Sequence, residues 1–312
     1  MANVSTRNAF GEALAQVGAK NDKIIVFDAD VSTCTMTCYF GEKFPERFFN
    51  CGIQENNMVG MAAGASTCGY APFLATFSMF AAGRCYDQIR NTLAYPGLNV
   101  KVIGTHAGLT VGEDGATHQC IEDLALMRAI PGMTVICPAD GNEAAQAVYA
   151  LAEMEGPAYM RLGRMPVAQV TGGEGYKFEI GKAAKLCEGT DATIIAIGLT
   201  VELAVEAAKA LAKEGISVRV LDMHTIKPID KEAICAAAKD TGVIITAEEH
   251  NVVGGLGSAV SEVVCEMEKP VRVVKLGVED TFGRSGNADA VLEKYGITAA
   301  NIADKVRKAL GK

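Results

Sequence analysis

The 312-residue sequence contains no tryptophan, only 6% aromatic residues and four histidines, so any aromatic cluster or pair of imidazoles in it is informative. Its ten cysteines stand singly in apolar runs. With no C-x-x-C pair there is no pattern for a zinc ribbon or a redox dithiol, and the thiols read as reduced core or near-core groups. No uncharged run reaches the ~18 residues of a bilayer span, and no basic segment followed by an apolar one opens the chain. A cytoplasmic location without a membrane partner is therefore expected. The formal net charge of −8 lacks the dense basic surface that nucleic-acid binding would need, which leaves small-molecule chemistry as the expected field. The one glycine-rich turn with a dinucleotide flavour, "EEHNVVGGLGSAV" (248–260), lacks G-x-G-x-x-G spacing and reads as a tight strand-to-helix turn.

What is present is apolar residue in quantity, 49% of the chain, enough for two ordinary domains with a sizeable core. Short apolar runs at 23–30, 71–77, 99–106 and 133–140 alternate with stretches of helical period, notably 7–19 and 141–155. That rhythm predicts βα units around a largely parallel sheet. The Gly- and Glu-rich stretch 171–183 carries neither period and reads as a linker. Beyond it the rhythm restarts, with strands expected at 192–198, 217–223, 242–250 and 271–277 and helices at 201–214, 230–238 and from about 255. The expected organisation is an α/β domain over 1–170, the linker, and a smaller α/β domain over 184–312.

Ligands of open α/β sheets gather at the carboxyl ends of strands, so the polar residues that follow the apolar runs are the candidates. "DADVST" (28–33) and "THAGLTVGEDGATHQ" (105–119) are two such ends. The second holds His106, Glu113, Asp114 and His118, half the histidines of the protein, in a loop with no metal-binding H-x-x-x-H spacing. "FLATFSMFAAGRCYDQIRN" (73–91) concentrates aromatics, and Phe77 and Phe80, three apart, could present neighbouring ring faces to a flat heterocycle. Arg84 and the polar residues behind them suit a ligand or subunit surface better than a core helix. "YMRLGR" (159–164) brings Arg161 and Arg164 to a strand end, and the pair is expected on one face as a guanidinium fork for phosphate or carboxylate. Finally, "FFNCGIQENNMVGMAAGAS" (48–66) sets one acid, Glu55, among amide, sulfur, small and apolar residues. Weakly polar surroundings would favour its protonated form.

Taken in order, "GIQENNMVGMAAGAS", "TFSMFAAGRCYDQIRN", "GEDGATHQCIEDLALMRAIPGMTVICPADGNE", "RLGR" and "AEEHNVVGGLGSAV" resemble the C-terminal half of transketolase, in the form where the enzyme is split between two polypeptides. The resemblance implies two three-layer α/β/α domains, a pyrimidine-binding domain and a transketolase C-terminal domain, and thiamine diphosphate as cofactor across a subunit interface. It implies that Glu55 hydrogen-bonds the aminopyrimidine ring, that Phe77 and Phe80 pack against it beside Arg84, and that Asp30 lies near the thiazolium side. It implies substrate contacts from His106, Asp114 and His118, with the histidines and Glu55 as catalytic residues. Arg164, Arg7 and the Ser32–Cys34 stretch would meet the sugar phosphate. Two positions depart from the family pattern: a third family aromatic falls at Gly83, and a phosphate-contact serine falls near Cys34.

The family holds the diphosphate through Mg²⁺ at a G-D-G sequence, and this chain has none, so no metal ligand is expected here. The resemblance thus implies an N-terminal partner subunit that holds Mg²⁺ or another divalent cation, in an α2β2 assembly. Two rivals share the cofactor: the β subunit of a 2-oxo acid dehydrogenase and a 1-deoxyxylulose-5-phosphate synthase-like enzyme. "GEDGATHQ" and the histidine pair favour ketol transfer between sugars, because decarboxylation of an oxo acid needs no clamp for sugar hydroxyls.

Overall fold

The structure is a computed structural model that describes residues 3–173 and 175–312, so residues 1, 2 and 174, the last in the expected linker, lie outside the described residues. Among the described residues the strands form a seven-stranded sheet, a five-stranded sheet and a two-stranded pair. The large sheet runs, edge to edge, Thr225–Lys227, Thr134–Ile136, Ala158–Arg161, Lys101–Thr105, Ala71–Phe77, Ile24–Asp28 and Phe48–Asn50. All neighbours are parallel except the first pair. Central strands of a parallel sheet are covered on both faces, which is why Ile24–Asp28 and Lys101–Thr105 are buried at every position and read as continuous apolar runs. Lys101 sits in such a run because its stem packs inside while Nζ donates to the carbonyls of Met154 at 2.8 Å and Gly156 at 2.6 Å.

Helices Thr6–Lys20 and Gly141–Glu153 cover one face of this sheet, packing Phe10, Leu14, Val148 and Leu151 against Val26, Phe73 and Ile103. Both helices start on side-chain caps: Ser5 accepts from the Asn8 N–H, and Asp140 accepts from the Glu143 N–H at 3.0 Å. Glu55–Thr67, two π-helical segments at Met79–Arg84 and Ile89–Ala94, and Asp123–Ala129 lie on the other face. The five-stranded sheet runs Arg272–Val278, Val243–Asn251, Ala192–Ala196, Val218–Asp222 and Ala184–Cys187, with only the last antiparallel. Thr200–Ala212 and Ala299–Leu310 cover one face. Lys231–Thr241 and Leu256–Cys265 cover the other and share a core with the first sheet, where Leu221, Ile244 and Leu256 cluster with Leu74, Leu124 and Met127.

The layering is α/β/α in both sheets, as the resemblance implies, and the strands are largely parallel, as the alternation predicts. Two features were not expected. The strand Thr225–Lys227 comes from the second half of the sequence yet completes the first sheet, and Lys227 Nζ donates to the carbonyl of Arg128 at 2.9 Å, closing the helix Asp123–Ala129. The stretch expected as a linker is also strapped down. Thr171 Oγ1 donates to Asp140 at 2.7 Å, the Phe178 N–H donates to Gln146 at 3.2 Å, and the Phe178 ring lies 4.3 Å from that of His224.

Candidate active site

Five adjacent strands of the large sheet deliver most of the predicted residues at their carboxyl ends, while Arg7 comes from the helix Thr6–Lys20. Ala158–Arg161 leads to Arg164, Lys101–Thr105 to His106, Ala71–Phe77 to Phe77, Phe80 and Arg84, Ile24–Asp28 to Asp30 and Ser32, and Phe48–Asn50 to Glu55. Parallel strands have no alternative to this, since side chains on loops after the strands all emerge on one rim.

The rings of Phe77 and Phe80 stack with centroids 6.0 Å apart and planes 21° from parallel. The arrangement comes from a strand end meeting a π-helical turn rather than from one helix face, and such turns recur at functional sites. His106 lies 4.2 Å from the Phe77 ring, and His118 sits edge-on to Phe80 at 5.3 Å. Arg84 covers Phe80, its guanidinium 4.4 Å from the ring centroid, and its Nη1 donates to both oxygens of Glu55 at 2.7 Å. Glu55, Arg84, Phe80, Phe77, His106 and His118 are therefore one contiguous cluster. The Met79 methyl lies against Gly83, 2.2 Å from where a Cβ there would stand.

The expectation of weakly polar surroundings for Glu55 is wrong. Its side chain is 3% exposed, but it faces a guanidinium whose own side chain is 45% exposed. The signal was in "AAGRC", 29 residues downstream, and no local spacing links the two positions.

Asp30 and His106 both have positive φ, 66° and 54°, a conformation uncommon for residues with a Cβ and one that collects at functional loops. Asn50 Nδ2 holds Asp30 at 2.8 Å, and Thr105 Oγ1 lies 2.9 Å from His106 Nδ1. The turn around Asp30 is built by a residue not singled out from the sequence: buried Asp28 accepts from the Val31 N–H and from Thr35 and Thr37 at 2.7–2.8 Å. Ser32 opens the short helix Ser32–Thr35 beyond that turn and is half-buried. Arg7 reaches this stretch with Nη1 on the Cys34 carbonyl at 2.6 Å, and its Nε donates to the Arg164 carbonyl at 3.4 Å. Arg164 Nη1 donates to the Val111 carbonyl at 2.5 Å and lies 3.9 Å from Asp114.

Burial, then the charges of Arg7, Arg164 and His118, push the His106 imidazole down to about 3. It is thus a neutral ring at physiological pH, suited to hydrogen bonding and to accepting a proton only transiently. Its ring nitrogen shifts should stay flat in an NMR titration from pH 8 to 5, and an inflection near 6.5 would contradict the burial argument. The sign for stability follows. Between about 3 and 6.5 the unfolded chain binds the proton and the folded chain does not, so this group's contribution is full above about pH 6.5 and is lost as pH falls.

The expected Arg161–Arg164 fork does not form. The two are three positions apart in a strand and the loop after it, and Arg161 turns into the interior. Its Nε donates to Asp123 at 3.0 and 3.2 Å and its Nη2 to the Glu249 carbonyl at 2.8 Å, while the Tyr159 hydroxyl donates to Asp123 at 2.8 Å. Glu249, raised to about 7 by burial, accepts from the Thr110 N–H at 2.6 Å. This network ties the sheets together and contributes no group to the rim. Among the described residues no cluster of three or more His, Cys, Asp or Glu side chains could hold a metal ion, and no helix is long and apolar enough to cross a membrane.

Residues 2–169 match the family model of the transketolase pyrimidine binding domain, and residues 181–302 match that of the transketolase C-terminal domain. The chain belongs to the transketolase family. Transketolases depend on thiamine diphosphate. A solved split gene transketolase, described as an inactive beta4 tetramer, is 51% identical with a TM-score of 0.90 over 99% of both chains. The 6-deoxy-6-sulfo-D-fructose transketolase subunit of a Clostridium species is 41% identical over 95% of this chain and 91% of its own length. Human transketolase is 38% identical over 99% of this chain, which spans only 49% of that longer protein.

Proposed function

We propose that this chain is the C-terminal subunit of a split transketolase, moving a two-carbon ketol unit from a ketose donor to an aldose acceptor with thiamine diphosphate. Residues 1–170 and 184–312 serve as its pyrimidine-binding and C-terminal domains. The single observation that carries the reading is the rim cluster: a buried acid beside two stacked rings and two imidazoles, at the ends of adjacent strands. A buried carboxyl next to half-exposed aromatic faces fits the aminopyrimidine end of the cofactor, with Glu55 at a ring nitrogen and Phe77, Phe80 and Arg84 as its wall. Asp30 would border the thiazolium side. When bound, the cofactor supplies the electron sink for cleaving a carbon–carbon bond beside a carbonyl.

The chain's own residues then bind and orient the sugar. His106 and His118 hydrogen-bond donor hydroxyls and carry protons between oxygens there, and Asp114 selects the hydroxyl configuration. Arg7, Arg164 and the Ser32–Cys34 turn hold an anionic end group, the Arg7 guanidinium bonding the backbone carbonyls of both Cys34 and Arg164. The relative named for a sulfo-sugar supports an anion at this end without fixing it as phosphate. The likeness to a split gene transketolase supports a partner N-terminal subunit, which would hold Mg²⁺ or another divalent ion with the diphosphate; we place the two in an α2β2 complex in the cytoplasm.

The test is reconstitution with such a partner and assay against ketose phosphates, a 6-sulfo ketose and pyruvate. Ketol transfer is expected only after mixing, and activity of this chain alone or turnover restricted to pyruvate would sink the reading. In the active complex Arg164→Ala should raise KM for an anionic ketose about 10- to 100-fold with kcat little changed, as loss of a charge-assisted contact remote from the reacting atoms requires.

A further inference from the structure

The loop 105–119 carries His106, Asp114 and His118, yet it has little stiffness of its own. Gly108, Gly112 and Gly115 all sit at positive φ, 79°, 77° and 74°, and its regular structure is the 3-10 stretch Leu109–Asp114, broken at Gly112. The first half holds it through Arg164 on the Val111 carbonyl and the Ala107 N–H on the Leu162 carbonyl, and further restraints come from the second half of the sequence. The Ser285 hydroxyl donates to the Glu113 carbonyl, and the Gly286 N–H donates to the Gly112 carbonyl at 3.4 Å. Gln119, 3% exposed and adjacent to His118, donates from Nε2 to the carbonyls of Leu109 and Arg284, both at 3.0 Å, so one amide joins the start of the loop to the far segment.

The fit is close. A Cβ on Gly283 would lie 2.0 Å from Gln119 Oε1, and one on Gly112 would lie 3.1 Å from the Gly286 carbonyl oxygen. The segment is itself anchored, because the Tyr295 hydroxyl donates to the Phe282 carbonyl at 2.8 Å and Asn287 caps the helix Ala288–Lys294. Beneath it, Leu109 and Val291 belong to one buried cluster.

We infer that residues 283–286 are a latch that sets the placement of Asp114 and His118, with Ser285 and Gln119 as positioning residues. The half of the chain that brings no side chain to the rim thereby governs the geometry of the half that does. The catalytic consequence rests on the proposed ketol transfer; the mechanical one does not.

The test uses the full chain with its partner and three variants: Ser285→Ala, Ser285→Thr and Gly283→Ala. Ser285 is exposed, so its replacement leaves folding intact, whereas Gly283→Ala drives a methyl against Gln119. A misplacement of catalytic groups by about 1 Å costs up to about 10²-fold, so kcat should fall about 10-fold in Ser285→Ala and about 10²-fold in Gly283→Ala, with KM within about twofold. Ser285→Thr, which keeps the hydroxyl, should restore kcat. Hydrogen–deuterium exchange of amides 108–118 should speed up in the two impaired variants while Ala71–Phe77 exchanges as in the parent chain. Faster exchange with unchanged kcat would make the segment merely structural and overturn the latch, as would unchanged exchange in both variants or a Thr variant no better than Ala. If the parent complex lacks ketol transfer, the function fails and exchange alone judges whether the loop is held.

Discussion

Glu55→Gln is expected to bring ketol transfer by the reconstituted complex down by about 10³-fold or more while the chain keeps its fold. The loss follows from position. Glu55 is the acid that opens the helix Glu55–Thr67 at the rim, nearly fully buried, beside the ring pair Phe77 and Phe80. A carboxyl there can hold a proton against a ring nitrogen or give it up. An amide offers a donor and an acceptor but cannot exchange between them, and proton transfer by a positioned side chain contributes ~10²–10⁴-fold. The fold should survive because glutamine is isosteric and the abandoned partner, Arg84, is 45% exposed and can be rehydrated. Steady-state kinetics beside a thermal melt decide the matter. Turnover like the parent chain's would sink the role of Glu55, and a collapsed melt would mean that the Arg84 pair is chiefly structural.

The second large effect is on stability. Asp123→Ala should lower the free energy of unfolding by about 3–5 kcal/mol, because it strands a buried guanidinium and leaves a buried phenol without its acceptor. Arg161 is 4% exposed and Tyr159 is fully buried, so water cannot replace the lost carboxylate. Removing both charges with apolar groups of similar volume, Asp123→Leu with Arg161→Met, should recover part of the loss. Recovery is incomplete because Arg161 also donates to the Glu249 carbonyl of the neighbouring sheet. Urea unfolding of the parent chain and of both variants measures this. A loss under about 1 kcal/mol for Asp123→Ala would place the pair among weak surface contacts.

Much of the architecture was legible because strands buried on both faces of a parallel sheet read as apolar runs, and ligands of such sheets gather at the strands' carboxyl ends. The run "APFLATF" is the strand Ala71–Phe77 to the residue, and the aromatic pair beyond it does stack. Glu55, Phe77, Phe80, Arg84, His106 and His118, drawn from separate motifs, lie in one cluster because their strands are neighbours in the sheet. What could not be read depends on partners distant in sequence. Nothing in "YMRLGR" says that one arginine turns inward to Asp123, 38 residues earlier, while the next faces the rim. Nothing around Glu55 announces Arg84. The π-helical turns at Met79–Arg84 and Ile89–Ala94 have no period to betray them, and a three-residue strand such as Thr225–Lys227 is too short for alternation to show.

That short strand bears on how the molecule could be dissected. Composition invites a cut within 171–183 to isolate the rim-bearing portion. Such a fragment would lack the antiparallel neighbour of Thr134–Ile136 and the Lys227 ammonium on the carbonyls of Arg128 and Ile130. It would present a raw row of peptide groups along one margin, the template on which strands of other molecules assemble. Workable fragments for crystallography or labelling would carry the chain at least past Lys227, or bring that strand back as a short peptide added in trans.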